Sequence, residues 1–116
     1  MKRRALFLVT ADPRASHRPG EAIRIAAGVA AWKNVDVTLC LWNHAALALS
    51  EFTEELVGEE NFRNCLPMLT RLDRPIYVQR DTPWLARLAN SPAQFEPISE
   101  DQLAGLAAGS HYVMRF

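Results

Sequence analysis

Residues 5–10, with the sequence ALFLVT, decide the fold of this chain. This apolar run follows the basic residues 2–4 and ends at Ala11, Asp12 and Pro13. A strand that is apolar at successive positions suits burial on both faces, which is typical of a parallel sheet with helices on each side. The sequence therefore predicts an α/β fold organised around this strand.

The segment after the first strand combines a long loop with an alanine-rich helix. Residues 11–20 form a connection of about ten residues, whereas loops between a strand and a helix commonly have about 2–6. We interpret it as a binding loop or as an ordinary surface loop, and the residues alone leave both open. The helix begins near Pro19, where a first-turn proline is tolerated. It is apolar around most of its circumference, so the sheet and a further helix or subunit must cover it.

The remaining chain repeats the order of strand and helix. Pro67 marks a helix start, because a proline inside a helix costs about 3 kcal/mol, and Ser99 with Gln102 fits a capping box. Strands are predicted at residues 35–42, 76–79, 95–98 and 111–116, and helices at 45–49, 67–72, 82–90 and 99–109. The whole pattern predicts a single domain over residues 1–116, a three-layer α/β/α sandwich with a mostly parallel sheet of about five strands.

Composition narrows the classes of function. Hydrophobic residues are 49% and charged residues 22% of the 116, which predicts a packed core rather than disorder. The formal net charge of +0 argues against nucleic acid as the main partner. It also leaves little repulsion between copies, which favours a homo-oligomer. No apolar stretch approaches the roughly 20 residues of a membrane span, so we expect no membrane partner and a cytoplasmic location.

Two cysteines, Cys40 and Cys65, are too few and too far apart for a disulfide framework or a metal site. Cys40 lies in an apolar strand and is predicted to be a core residue. Cys65 stands just ahead of the helix expected at Pro67 and near Arg63, and such a position lowers the pKa of a thiol. It is therefore the candidate catalytic nucleophile, with an ordinary partly buried cysteine as the alternative. We expect no metal and no cofactor, because the sequence holds no Walker loop or dinucleotide glycine pattern.

Polar residues follow several of the predicted strands. In an open parallel sheet, ligands bind beyond the carboxyl ends of the strands, where helix N-termini also favour a small anion. The candidate ligand-binding residues are Asp12, His17, Asn43, His44, Arg80 and Asp81.

In its first half the chain resembles the DsrE/DsrF/DsrH-like family, small α/β proteins that include the sulfur-relay Tus subunits. The resemblance rests on the opening strand with its Asp-Pro loop, the alanine-rich helix, and the second strand with the short helix after it. The matching segments are residues 6–13, 17–18, 21–22, 35–42 and 43–49.

The resemblance implies cytoplasmic homo- or hetero-oligomers, often trimers or hexamers, and in active members a cysteine after the third strand that carries persulfide sulfur. Here the matching positions are Gln79, Arg80 and Asp81, so the sulfur-carrying residue is not carried over. This departure favours a member of the family that lacks catalysis.

Three hypotheses of function follow from these residues. The first is an oligomeric DsrE-like protein, related to intracellular sulfur relay, that binds a small anionic ligand or a partner through the strand-end residues. The second is a sulfurtransferase or persulfide carrier that uses Cys65. The third is a structural subunit that interacts with other DsrE-like chains and has no small-molecule site.

Overall fold

A computed structural model describes residues 2–72 and 74–116 of the chain. Its elements, in chain order, are β1 (Arg3–Val9), α1 (Arg18–Ala31), β2 (Val35–Leu41), a first 3₁₀ helix (Asn43–Leu49), α2 (Glu59–Thr70), β3 (Ile76–Gln79), a second 3₁₀ helix (Leu85–Leu88), β4 (Phe95–Ile98), α3 (Glu100–Ala108) and β5 (Tyr112–Arg115). Within the described residues, no helix has both the length and the apolarity needed to cross a membrane.

The strands form one parallel sheet in the order β4-β3-β2-β1-β5. β1 and β2 pair along their whole length, from Arg3 opposite Val35 to Val9 opposite Leu41. Because all pairs are parallel, the carboxyl ends of the strands lie along one rim of the sheet, which we call the carboxyl edge. The predicted parallel α/β sheet is confirmed.

Alternate residues of β1 pack into two separate cores. Ala5, Phe7 and Val9 are buried with α1 and α2 on one side of the sheet, the first face. Leu6 is buried with Cys40 on the other side, the second face, where partly buried residues of α3 cover them. The sheet thus lies between two helical layers, and the predicted α/β/α sandwich is confirmed.

The second face is covered less completely than the first. α3 contains no buried residue, and Val113 of β5 is 45% exposed. Val113 lies opposite Leu6 in the pairing of β5 with β1, so its side chain points to the second face. An apolar strip formed by Val113 and the partly buried Leu8 of β1 therefore remains open to solvent.

Several local signals in the sequence have the predicted structure. The hydroxyl oxygen of Ser99 accepts a hydrogen bond from the Gln102 backbone N–H at 3.2 Å, and the Gln102 side-chain oxygen accepts one from the Ser99 N–H at 2.8 Å. Gly109 ends α3, and Pro97 lies on β4, an edge strand. The capping box, the helix end and the edge position of Pro97 are confirmed.

The helix predicted over residues 82–90 is shorter than expected, because only the second 3₁₀ helix forms there. Backbone N–H groups in this segment donate to carbonyls three residues back, as from Leu85 to Thr82 at 3.2 Å and from Ser91 to Leu88 at 3.0 Å. This spacing gives the tighter 3₁₀ geometry, whose poorer hydrogen bonds commonly keep such runs to about three or four residues.

The predicted helix start at Pro67 is wrong, because Pro67 lies inside α2. Phe62, Leu66 and Leu69 share one side of α2 and are buried in the first-face core. Burying each of these side chains contributes about 1.5–3 kcal/mol, which together outweighs the roughly 3 kcal/mol that an internal proline costs. Tertiary packing therefore overrides the local signal, and Cys65 lies within the helix rather than ahead of it.

Replacing Pro67 with alanine should stabilise the protein. Pro67 is exposed, and the change restores a backbone N–H to the helix while giving the unfolded chain more freedom. The net gain in the free energy of unfolding should be about 1–2 kcal/mol, measured by urea denaturation followed by far-ultraviolet circular dichroism. The control is Met68→Ala, an exposed neighbour in the same helix, which should change little. An unchanged or lower stability of P67A would contradict this account of α2.

Candidate functional site

Five side chains from three loops meet on the first-face side of the carboxyl edge. We call them the Trp84 cluster, and they are Asp12, Arg14, His44, Trp84 and Arg87. Asp12 and Arg14 follow β1, His44 follows β2, and Trp84 and Arg87 follow β3. Three neighbouring strands of a parallel sheet thus deliver these residues to one place, as the position of ligand sites in such sheets predicts.

The indole ring of Trp84 is the centre of the cluster. It is partly buried and packs against the first-face core. The guanidinium carbon of Arg14 lies 4.8 Å from the ring centroid and that of Arg87 lies 5.5 Å from it. The imidazole of His44 is tilted by 51° to the indole, with 5.5 Å between the ring centroids. Positive groups within about 6 Å of an indole are attracted to its electron-rich face, so Trp84 holds the guanidinium groups of Arg14 and Arg87 near its ring.

Asp12 fixes the position of Arg14. One carboxylate oxygen accepts hydrogen bonds from the Arg14 backbone N–H at 2.9 Å and from its Nε at 3.0 Å, and the other accepts one from Nη2 at 2.8 Å. The hydrogen bonds from the Arg14 side chain hold the pKa of Asp12 below its ordinary value, and the nearby His44 acts weakly in the same direction. Asp12 therefore stays ionised and neutralises one of the two guanidinium groups at the ring.

A strained turn places His44. Asn43 has a φ of 54°, in the left-handed region that asparagine tolerates better than most residues. Its backbone N–H donates to the side-chain oxygen of Gln79 at 2.8 Å, and its carbonyl accepts from the hydroxyl of Thr82 at 3.3 Å. Thr82 is buried, and its hydroxyl oxygen also accepts a long hydrogen bond of 3.4 Å from the backbone N–H of Trp84. Thr82 therefore links the turn at Asn43, which follows β2, to Trp84, which follows β3.

Some of the predicted ligand-binding residues lie at the Trp84 cluster, and the others lie outside its contacts. Asp12 and His44 belong to the cluster, and Asn43 forms the turn that supports it. The guanidinium of Arg80 lies 3.4 Å from the Gln102 side chain of α3.

Asp81 and His17 stand outside the described contacts of the cluster. Asp81 is exposed. His17 lies at the N-terminus of α1. The pKa of Glu21 is lowered mainly by the hydrogen bond from Arg24, and His17 adds a small effect in the same direction.

Sequence reasoning missed the aromatic centre and both arginines. Arg14 directly follows the Asp12-Pro13 pair that the sequence analysis singled out, and Trp84 and Arg87 are three residues apart in the segment after β3. A tryptophan and an arginine at that spacing beyond a strand end were the available signal. No rule of spacing shows that Arg14 reaches the same ring from another loop.

The two cysteines lie away from the Trp84 cluster. Cys65 is partly buried within α2 against the first-face core, and the neighbouring Arg63 is held by Glu59 at 2.8 Å. The reason for expecting a reactive thiol, a place ahead of a helix N-terminus, is therefore wrong. Cys40 is buried in β2, and burial raises the pKa of its thiol to about 12, so it is a core residue as predicted. Among the described residues, no group of three or more His, Cys, Asp or Glu side chains could hold a metal ion.

Replacing Arg14 with glutamine should raise the pKa of Asp12 toward 3.8, its ordinary value, as followed by carboxyl ¹³C shifts. Because folding lowers this pKa, the pair stabilises the protein above about pH 4, and the effect is lost as the pH falls through the lowered pKa. The difference in melting temperature between the protein and R14Q should therefore be larger at neutral than at strongly acid pH. The control is Arg24→Gln, whose partner is Glu21. A wild-type Asp12 that titrates at or above 3.8 would contradict the pairing.

Comparison with known proteins finds a likeness among solved structures. No protein-family model matches the chain, and no curated protein matches it. Among solved structures, the chain matches the crystal structure of the YchN protein from E. coli with a TM-score of 0.80 over 100% of both chains, at 19% sequence identity. At this identity the likeness concerns the fold. The chain therefore has the five-stranded DsrE-like α/β fold that it shares with YchN.

Proposed function

We propose that this protein is a DsrE-like binding protein that holds a small anionic ligand at the Trp84 cluster without catalysing a reaction on it. The observation that carries the proposal is the pair of guanidinium groups within 5.5 Å of one partly buried indole centroid. Asp12 neutralises Arg14, and within residues 2–72 and 74–116 no ion pair involves Arg87.

The arrangement suits an anion for two physical reasons. A guanidinium is planar and always charged, and it donates two parallel hydrogen bonds to a carboxylate or an oxyanion. Trp84 also limits the positions open to Arg87, so less side-chain freedom is lost when a ligand binds. His44 adds an N–H donor beside the same ring.

The absence of a cysteine thiol from the cluster supports ligand binding rather than sulfur transfer. None of its members is a cysteine, and residues 79–81, which follow β3, are Gln, Arg and Asp. A setting in cytoplasmic sulfur relay belongs to this proposal through the resemblance alone. Sulfur transfer through Cys65 stays a prediction that no contact of Cys65 favours.

Titration with inorganic phosphate or acetate should move the indole N–H resonance of Trp84 in a ¹H–¹⁵N correlation spectrum, with the resonance identified by its loss in W84F. Arg87→Gln should weaken binding about ten-fold, because a hydrogen bond to a charged group contributes about 1.5–3 kcal/mol.

The matched control for this titration is Arg71→Gln, which removes the same charge from an exposed position at the end of α2. R71Q should bind as the parent protein does. Equal weakening by R71Q and R87Q, or no movement of the Trp84 resonance with either anion, would refute the site.

A second candidate function, association with further copies of this chain, is favoured by the second face. A cleft of about 430 Å³ there is lined by apolar residues of the sheet and of α3, among them Leu8, Trp42 and Val113. β5 is an edge strand, so its outer backbone N–H and C=O groups are open to pairing. The net charge of +0 raises little repulsion between copies. We propose a homo-oligomer, a trimer or hexamer as the resemblance implies, with this strip at the contact.

Native mass spectrometry should show an oligomer for the parent protein and mainly monomer for Val113→Lys, because a buried unpaired ammonium is costly at an apolar contact. The control is Val57→Lys, which changes a valine of similar exposure outside the strip and should leave the oligomer intact. A monomeric parent protein, or dissociation by both variants, would argue against this contact.

A further inference from the structure

A cavity of about 540 Å³ opens directly beside the Trp84 cluster. Arg14 and Arg87 form one part of its wall, and the stretch between the first 3₁₀ helix and α2 forms another. Its lining residues carry positive, negative and apolar side chains: Arg14, Leu47, Ser50, Phe52, Glu54, Glu55, Leu56 and Arg87. The volume lies in the range of about 300–1,000 Å³ that is common for small-molecule sites.

A backbone hydrogen bond fixes the stretch between the first 3₁₀ helix and α2 to the loop after β1. The N–H of Val57 donates to the carbonyl of Pro13 at 2.8 Å, and Pro13 is fully buried. The Ser50 hydroxyl donates to the carbonyl of Phe52 at 2.9 Å. The stretch is therefore tied to the loop of Arg14 at its Val57 end, and the Ser50 bond is a local turn within it.

Opposite charges line the cavity without pairing with each other. Glu54, Glu55 and Arg87 take part in none of the ion pairs formed by the described residues, although all three line the same space. A ligand with only a negative charge would leave the glutamates without a partner and would be repelled by them. A ligand that carries both charges would meet a complementary group on each side.

An aromatic side chain at the cavity adds an apolar contact. Phe52 is 72% exposed, whereas Leu47 and Leu56 are buried beneath the same cavity. An apolar group placed over these three side chains would remove the phenyl ring of Phe52 from water. Such burial contributes about 25 cal/mol for each Å² of apolar surface.

We propose that the ligand of this site is a zwitterionic α-amino acid with an apolar side chain. This inference rests on the proposed function, because Arg87, with Arg14 beside it, would hold the carboxylate as the anion. Glu54 and Glu55 would receive the ammonium group, and the side chain would cover Phe52. No bond is made or broken in the ligand.

A matched set of probes separates these contacts. L-phenylalanine carries both charges, 3-phenylpropionate lacks the ammonium group, and phenethylamine lacks the carboxylate. Followed by the Trp84 indole resonance and the backbone resonances of residues 50–56, L-phenylalanine should bind about five-fold more tightly than 3-phenylpropionate. Phenethylamine should bind most weakly, because it offers the arginines nothing.

The double variant Glu54→Gln/Glu55→Gln should abolish the preference for L-phenylalanine over 3-phenylpropionate while the latter still binds. Its control, Glu60→Gln/Glu96→Gln, removes two exposed carboxylates elsewhere and should keep the preference. Equal affinity of the parent protein for the two probes would overturn the amino-acid inference and leave the anion site standing. Failure of L-phenylalanine, 3-phenylpropionate and phosphate alike to move the Trp84 resonance would overturn both.

Discussion

The burial of β1 and β2 on both faces of the sheet is the constraint on which the rest of the structure depends. Phe7 and Leu6 are both fully buried, yet they face opposite sides. Strands of this kind leave little room for charged side chains between their ends, because an unpaired charge in such a core is very costly. The polar residues that could bind a ligand are therefore displaced to the rims, and the parallel arrangement brings those that follow β1, β2 and β3 to one rim.

At that rim, interactions between loops organise the candidate site more than interactions within any one loop. The Gln79 side chain and the Thr82 hydroxyl hold the left-handed turn at Asn43. Trp84 then gathers two guanidinium groups and the His44 ring, which follow three different strands, around a single ring. The partly buried indole gives these exposed side chains a common surface, and Asp12 lowers the repulsion between the two guanidinium groups.

The sequence predicted the fold well where a local pattern and the tertiary structure agree. The apolar run of β1, the capping box at Ser99 and the edge position of Pro97 all follow from rules that act over a few residues. Pro67 shows the opposite case, because burial of one side of α2 outweighs the local preference against proline. The place of Asp12 and His44 at the carboxyl edge could be predicted because strand ends are recognisable. Trp84, Arg14 and Arg87 were missed because their meeting depends on three loops whose mutual positions no spacing along the chain reveals.

The central claim is that the carboxyl edge gathers His44, Arg14 and Arg87 around Trp84. The most direct test is a nuclear Overhauser spectrum in which the ring protons of the three tryptophans and three histidines have been assigned. The account predicts cross-peaks from the Trp84 ring to the His44 ring and to the side-chain protons of Arg14. A Trp84 ring with cross-peaks to core residues alone, and none to His44 or Arg14, would contradict it.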